Sequence, residues 1–290
     1  IVAHAAFLVR QYQHNDFRMK VGLIGSVVTA RDFRGRGYSG RLLRDAIAEL
    51  KRRGCVAVVL WSDNSDFYLP LGFRRGGRET DYRFAASSAP ENTGTVREFE
   101  MHRDASLLWR LYHKHPAKID RALEEQKELC RIPLSRIFVT EKNNALSSYL
   151  VINKGSDFED HIHEWGGDLY ELQRNIAHCQ RYLFPDRNLT LISPTFSDLG
   201  PVRQMAVEKW NGVLGLIKVL DRSQLMAIYY DFLRKNKIAY AWDRDKEFLK
   251  VENHELPLRN DVECAAAVFG DETHISHPVL PFFIWGFDSI

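Results

Sequence analysis

Apolar positions along the chain fall into short continuous runs and into stretches of helical spacing. Val21–Val28 and Cys55–Trp61 are strand-length runs, as strands buried on both faces should be. Between them Tyr38, Leu42, Leu43, Ala46, Ile47 and Leu50 recur at helical spacing, and Gly54 stands where a C′ glycine would close the helix. Ile1–Gln13 alternates weakly and predicts a strand, Asn15-Asp16 a turn, and Arg18–Thr29 the next strand. Asp63 or Asn64 can cap a short helix that Pro70 and Gly72 end, and Phe73–Ala86 predicts one or two closing strands.

The small, polar stretch Ala85–Gly94 predicts a domain boundary. Beyond it the pattern predicts helices at Ala105–His113 and Ile119–Cys130, then strands at Arg136–Thr140, Ser148–Ile152 and Asp160–Trp165. A helix over Asp168–Tyr182 and a strand over Leu189–Ser193 follow. Residues 201–290 predict a strand (Gly212–Leu220), a helix (Arg222–Asn236), strands at Ile238–Trp242 and Phe248–Val251, a short helix (Val262–Phe269) and an apolar tail, Pro278–Ile290. The expected fold class is mixed α/β (α+β), in three domains: 1–86, 95–200 and 201–290.

Composition narrows the picture. With 290 residues, 45% hydrophobic and 27% charged, the chain reads as globular, and no apolar run approaches a membrane span. Cys55, Cys130, Cys179 and Cys264 are far apart and form no Cys-x-x-Cys, which predicts buried thiols in a reducing, cytoplasmic setting. The net charge of +2 hides an asymmetry: residues 1–84 hold 15 Lys/Arg against 8 Asp/Glu, and the rest 25 against 30. The excess is densest between Arg31 and Arg53, which suits a polyanionic small molecule. Nucleic acid would want interleaved exposed aromatics or a reading helix, and neither is seen. A homo-oligomer is compatible with the sequence but not specified by it.

The chemistry centres on Arg34-Gly35-Arg36-Gly37-Tyr38-Ser39-Gly40-Arg41, which joins the first buried run to the helix. A strand, a glycine-rich turn and a helix N-terminus aim several backbone N–H groups at one point, an anion site suited to phosphate. The Gly-Lys-Ser/Thr end of a P-loop and the spacing of the dinucleotide fingerprint are both missing. Arg34, Gly37 and Ser39 instead resemble the Arg/Gln-x-x-Gly-x-Gly/Ala acetyl-CoA loop of the GNAT acetyltransferases, with Ser39 departing from it. Asn64 and Phe67-Tyr68-Leu69-Pro70-Leu71-Gly72-Phe73 resemble the same family's Asn…Phe-Tyr-x-x-x-Gly-Phe. The element order of the whole chain resembles the tandem-GNAT enhanced-intracellular-survival type. It implies a degenerate second GNAT-like domain and a small sterol-carrier-like C-terminal domain. The GNAT fold would supply a strand, two helices and another strand before the strand Arg18–Thr29, and they are absent here, so either the sequence starts inside the domain, which then lacks its front part, or the missing lid is supplied otherwise.

The resemblance implies an N-acetyltransferase that passes the acetyl group of acetyl-CoA to an amine acceptor. It places the amides that polarise the thioester at Val27 and Val28 and the general acid at Tyr68. Arg36 and Arg41 fall to the phosphates, with Asn64 beside the cofactor. The strand Val21–Val28 offers no carboxylate as base. Two substitutes present themselves: Glu164 in His161-Ile162-His163-Glu164-Trp165, and the terminus, with Asp288 and the α-carboxylate of Ile290. His161 and His163 share a strand face, but with no third ligand they predict a polar wall and not a metal site. The turn Gly166-Gly167-Asp168 of the second copy puts an aspartate where phosphate would sit, so no CoA is expected there. A non-catalytic acyl-CoA-binding or scaffold protein is the competing expectation.

Overall fold

The computed structural model describes residues 1–85, 96–142, 145–155, 157–243, 246–270 and 277–289. The boundary expected at Ala85–Gly94 therefore lies, but for Ala85, outside the described residues. Two units emerge. The first holds Ile1–Arg78, Val213–Ile284 and the last described residues, Asp288 and Ser289; the second holds Glu79–Gly212 and Trp285–Phe287.

The chain opens the first unit with the hairpin β1 (Ala3–His14) and β2 (Arg18–Thr29). Helix α1 (Tyr38–Arg52) returns the chain to β3 (Ala57–Leu60), which runs parallel to β2 from Val21↔Ala57 to Ile24↔Leu60. Leu43, Ala46 and Leu50 of α1 are buried in one cluster with Ile24, Val58, Leu60 and Phe73, the i, i+3, i+7 stripe that fixes how the helix lies on the sheet. A Cβ at Gly22 would stand 2.7 Å from the Leu50 side chain, so the bare glycine admits the helix that closely. The short helix α2 (Ser65–Tyr68) and β4 (Arg74–Gly76) follow.

The second unit begins with β5 (Glu79–Phe84). It continues through β6 (Val96–Glu98), α3 (Met101–Tyr112), β7 (Ala117–Ile119), α4 (Leu123–Leu129), β8 (Arg136–Lys142) and β9 (Ala145–Lys154). Then come β10 (Asp157–Gly167), α5 (Leu169–His178), β11 (Leu189–Pro194), α6 (Gly200–Met205) and β12 (Glu208–Gly212). Its sheet has the order β12-β5-β11-β10-β9-β8-β6, with β10 and β11 parallel.

The chain then returns to the first unit. β13 (Gly215–Val219) lies between β3 and β4, antiparallel to both, and gives the order β4-β13-β3-β2-β1. Helix α7 (Arg222–Lys235), the small sheet β14 (Tyr240–Asp243), β15 (Phe248–Val251), β16 (His254–Pro257) and helix α8 (Asp261–Phe269) complete it.

Two expectations are thereby revised. β5 does not close the first sheet: it pairs from Phe84↔Leu189 to Glu79↔Pro194 with β11, and with β12 on its other side, so it is an inner strand of the second unit. Residues 201–290 are not a unit of their own, because β13 supplies the strand that joins β3 to β4. None of the helices is long and apolar enough to cross a membrane, among the described residues.

Candidate active site

β2 is bent before it reaches the glycine-rich turn. Its partners jump from His4↔Val28 to Ala6↔Gly25, so Ser26 and Val27 together oppose Ala5 alone, and Ser26 takes φ 53°. A bulge of this kind re-aims the strand. The β2–β3 register ends at Ile24↔Leu60, so Val27, Val28 and Thr29 lie past the last rung shared with β3.

The turn after β2 makes one 3₁₀ turn over Arg31–Phe33 and then two left-handed positions, Gly35 (φ 75°) and Gly37 (φ 77°). A Cβ on either glycine would meet no atom within 4 Å. Space for a ligand lies directly against this backbone, the condition a phosphate cradle needs. Gly37 is also the N-cap of α1 and brings no side chain to the first amides of the helix. Gly40 differs: its backbone is not left-handed, and a Cβ there would rest 3.7 Å from Arg44.

A cavity of about 620 Å³ opens on this turn. Val27, Val28 and Thr29 form one wall, Arg34, Gly35, Gly37, Tyr38 and Ser39 another, and Ser62, Asn64, Phe67 and Tyr68 a third. The hydroxyls of Thr29 and Ser39 hydrogen-bond to each other, and Arg34 Nε donates to Thr29 O at 3.3 Å. Arg34 is the arginine that lines the cavity. Arg36 and Arg41 are exposed and outside its walls, with the Arg36 guanidinium 5.3 Å over the Phe33 ring.

Tyr68 ends α2 with 6% of its surface exposed. Its ring stands edge-on to Phe67 at 4.9 Å and Phe73 at 5.9 Å. Burial raises the phenol above its ordinary range, opposed by a hydrogen bond with Ser62, so the group stays protonated at neutral pH. Asn64 holds the N-cap position of α2 but makes no capping bond with its side chain; its backbone N–H donates to Ser62 Oγ at 3.2 Å. Among the described residues, none that lines the cavity is a carboxylate.

Glu164 sits in the second unit and is fully buried. It accepts from Arg121 with both oxygens, at 3.0 and 2.7 Å, and Arg121 lies 3.8 Å over the Tyr112 ring. A carboxylate so engaged is a structural ion pair, not a poised base. The shared face of His161 and His163 is interrupted by a register shift between Ile162 and Glu164. His163 bonds Asn153 O at 2.9 Å, and burial depresses its pKa to about 3. Among the described residues no three His, Cys, Asp or Glu side chains are placed to hold a metal ion.

The corresponding turn of the second unit is chemically reversed. Asp168 is the N-cap of α5, and its Oδ1 accepts from Tyr170 N at 3.0 Å and Glu171 N at 3.1 Å. The amides that Gly37 leaves open in α1 are taken here by a carboxylate. The apolar tail is buried as expected from its composition: Leu280, Phe282, Phe283, Ile284, Trp285 and Phe287 are all buried. Ile290 lies outside the described residues.

Residues 1–76 match the family model described as an acetyltransferase (GNAT) domain. Solved structures of GNAT proteins share the fold over most of the chain. A GCN5-related N-acetyltransferase from Kribbella flavida superposes with TM-score 0.57 at 17% identity, over 78% of this chain and 60% of that one. A probable N-acyltransferase of unknown function from Enterococcus faecalis gives TM-score 0.58 at 13% identity, over 83% and 63%. Eis1 from Mycobacterium abscessus gives 0.50 at 13%, over 78% and 64%. The chain thus spans about three fifths of the length of these structures. No curated protein matches the sequence.

Proposed function

We propose that the protein is an acetyl-CoA-dependent N-acetyltransferase whose acceptor is a primary amine of a small molecule or of a lysine. One observation carries this reading: a single cavity has a left-handed glycine turn at a helix N-terminus on one wall and a buried, protonated tyrosine on another. The open side of Gly35 and Gly37 fits a pyrophosphate, and Arg34 is a cation of the cavity lining. Val27 and Val28 supply the wall along which the acyl end would lie, and Asn64 and Tyr68 the opposite one. In the reaction the neutral amine attacks the thioester carbonyl. The new C–N bond forms as the C–S bond breaks, the amine proton leaves to a base, and Tyr68 protonates the departing thiolate. Tyr68 then recovers its proton from water.

For the proton acceptor two candidates stand, a carboxylate of the tail (Asp288 or the α-carboxylate of Ile290) and water; Glu164 is already committed to Arg121. The second reading, an acyl-CoA-binding protein without catalysis, draws on the lack of a carboxylate among the described lining residues. Release of free thiol from acetyl-CoA in a panel of primary amines separates the two. Tyr68→Phe should lower kcat about 10²-fold with unchanged acetyl-CoA affinity. Unchanged turnover would return Tyr68 to a packing role, and no thiol release with any amine would favour the binding protein.

A further inference from the structure

The second unit has a cavity of its own, also of about 620 Å³, at the N-terminus of α5. Its position in the strand–turn–helix order matches that of the cleft in the first unit, but its chemistry is opposite. Asp168 and Asp198 both line it. Each uses Oδ1 to hold backbone amides: Asp168 those of Tyr170 and Glu171, Asp198 that of Gly200 at 3.1 Å. The Oδ2 of each has no hydrogen bond among the described residues. Lys114, exposed, is the one cation of the described lining.

Two further features give the cavity an apolar, acceptor-bearing interior. Trp165 and Phe196 supply aromatic walls. His115 is 9% exposed, and its Nε2 contacts Trp165 O at 2.7 Å. A carbonyl can only accept, so Nε2 carries the proton and Nδ1 is left as a lone-pair acceptor with no partner among the described residues. The ring is held by Trp285, whose centroid is 4.1 Å away. Burial keeps the imidazole neutral, with its pKa pushed down to about 4. The turn beneath is rigid: a Cβ at Gly167 would fall 2.1 Å from Ser147 O, so no other residue fits.

An anion is excluded, because the helix amides that would hold it are capped by Asp168. Two carboxylates, a neutral imidazole acceptor and aromatic walls are together the recognition set for an ammonium group on an apolar body. We propose that this cavity is a binding site for a small organic ammonium ion, separate from the acyl-transfer cleft of the first unit.

The test is calorimetric titration of the full chain with 2-phenylethylammonium, 2-phenylethanol and 3-phenylpropanoate. The ammonium should bind at least about tenfold more tightly than the alcohol or the acid, a difference of about 1.4 kcal/mol. The double variant Asp168→Asn, Asp198→Asn keeps the amide-capping oxygens and removes both charges, so its thermal melt should match the parent. It should lose the ammonium at least about tenfold. Equal affinity for the three probes overturns the proposal, as does ammonium binding that survives in the double variant. If the double variant fails to fold, the single variant Asp198→Asn in the same titration decides the matter, because it leaves the first-unit cleft and the Asp168 cap untouched.

Discussion

Replacing Glu164 by leucine tests whether the second unit supplies a base or only an ion pair. Glu164 and Arg121 both have 0% side-chain exposure, and the pair is bidentate. Arg121 also donates to Gln126 Oε1 at 2.9 Å and rests on the Tyr112 ring. Deleting the carboxylate breaks a fully buried bidentate ion pair, which should cost about 3–5 kcal/mol. At about 2–4 °C per kcal/mol for a body of this size, the melt should fall by roughly 10 °C. Arg121→Met in the Glu164→Leu background removes the other charge of the pair and should restore most of the loss. Circular dichroism and urea titration give stability, and thiol release per folded molecule gives activity. Activity should stay within about twofold, a change too small for loss of a general base, which is worth about 10²–10⁴-fold. A well-folded Glu164→Leu protein with turnover reduced about 10²-fold would refute the structural assignment and make Glu164 the base. The rival site is probed in the same assay by adding a few residues after Ile290. Turnover should collapse while acetyl-CoA still binds, and normal turnover would remove the terminus from the mechanism.

Gly37→Val should abolish acetyl-CoA binding in calorimetry, since it forces a side chain into the open side of a left-handed turn, whereas Gly40→Ala should bind normally because its Cβ would find 3.7 Å of room; equal affinities would refute the cradle. Stability should peak between about pH 6 and 7. Burial and the neighbouring Asp81 raise Glu79 from 4.5 to about 8, and burial raises Asp81 from 3.8 to about 6, so the stability their neutral forms contribute is lost as pH rises through those values. Burial lowers His115 and His163 from 6.5 to about 4 and about 3, so the stability of their neutral forms is lost as pH falls from about 6.5 toward those values. A urea midpoint that climbs steadily from pH 5 to 9 would contradict this.

The parts of the fold legible in the sequence are those set by local chemistry. The stripe Leu43, Ala46, Leu50 and the closing Gly54 (φ 77°) follow from helical period and capping alone. The glycines of the turn announce left-handed backbone by their lack of a Cβ. Pairing across long sequence distance is not legible. β13 joins β3 and β4 more than 130 residues away, and nothing in Gly215–Val219 names its neighbours. β7, β12 and β16 are short strands with no period long enough to detect. In the site, motif spacing locates Tyr68 and Arg34. Proximity to the turn suggests Arg36 and Arg41 as well, but their side chains lie outside the cavity walls. The Arg121 partner of Glu164 and the role of His115 have no signal in the sequence, because both arise from residues brought together only by folding.

The pairing of β13 has a consequence for how the chain can be cut. β4 is an edge strand whose partner in the sheet is β13, and Gly76 of one is directly opposite Gly215 of the other. A Cβ on Gly77 would stand 2.6 Å from Leu214 Cβ, so the two strands approach each other where a hairpin turn would sit. The whole of Glu79–Gly212 is thus inserted at the tip of a β4–β13 hairpin. Residues 1–86 alone would lack β13, leaving the exposed side of β3 and all of β4 without backbone partners, and about seven residues of ladder are too many to leave open. That fragment should remain unfolded. Residues 1–77 joined by Asn-Gly to residues 214–284 should instead close the sheet, because a two-residue turn of this type matches the twist of an antiparallel pair. Far-ultraviolet circular dichroism and a cooperative melt would report folding, and acetyl-CoA calorimetry would report the cleft. A cooperative, ligand-binding 1–86 fragment would show that the strand after β3 finds its own partner, and the insertion account would fall.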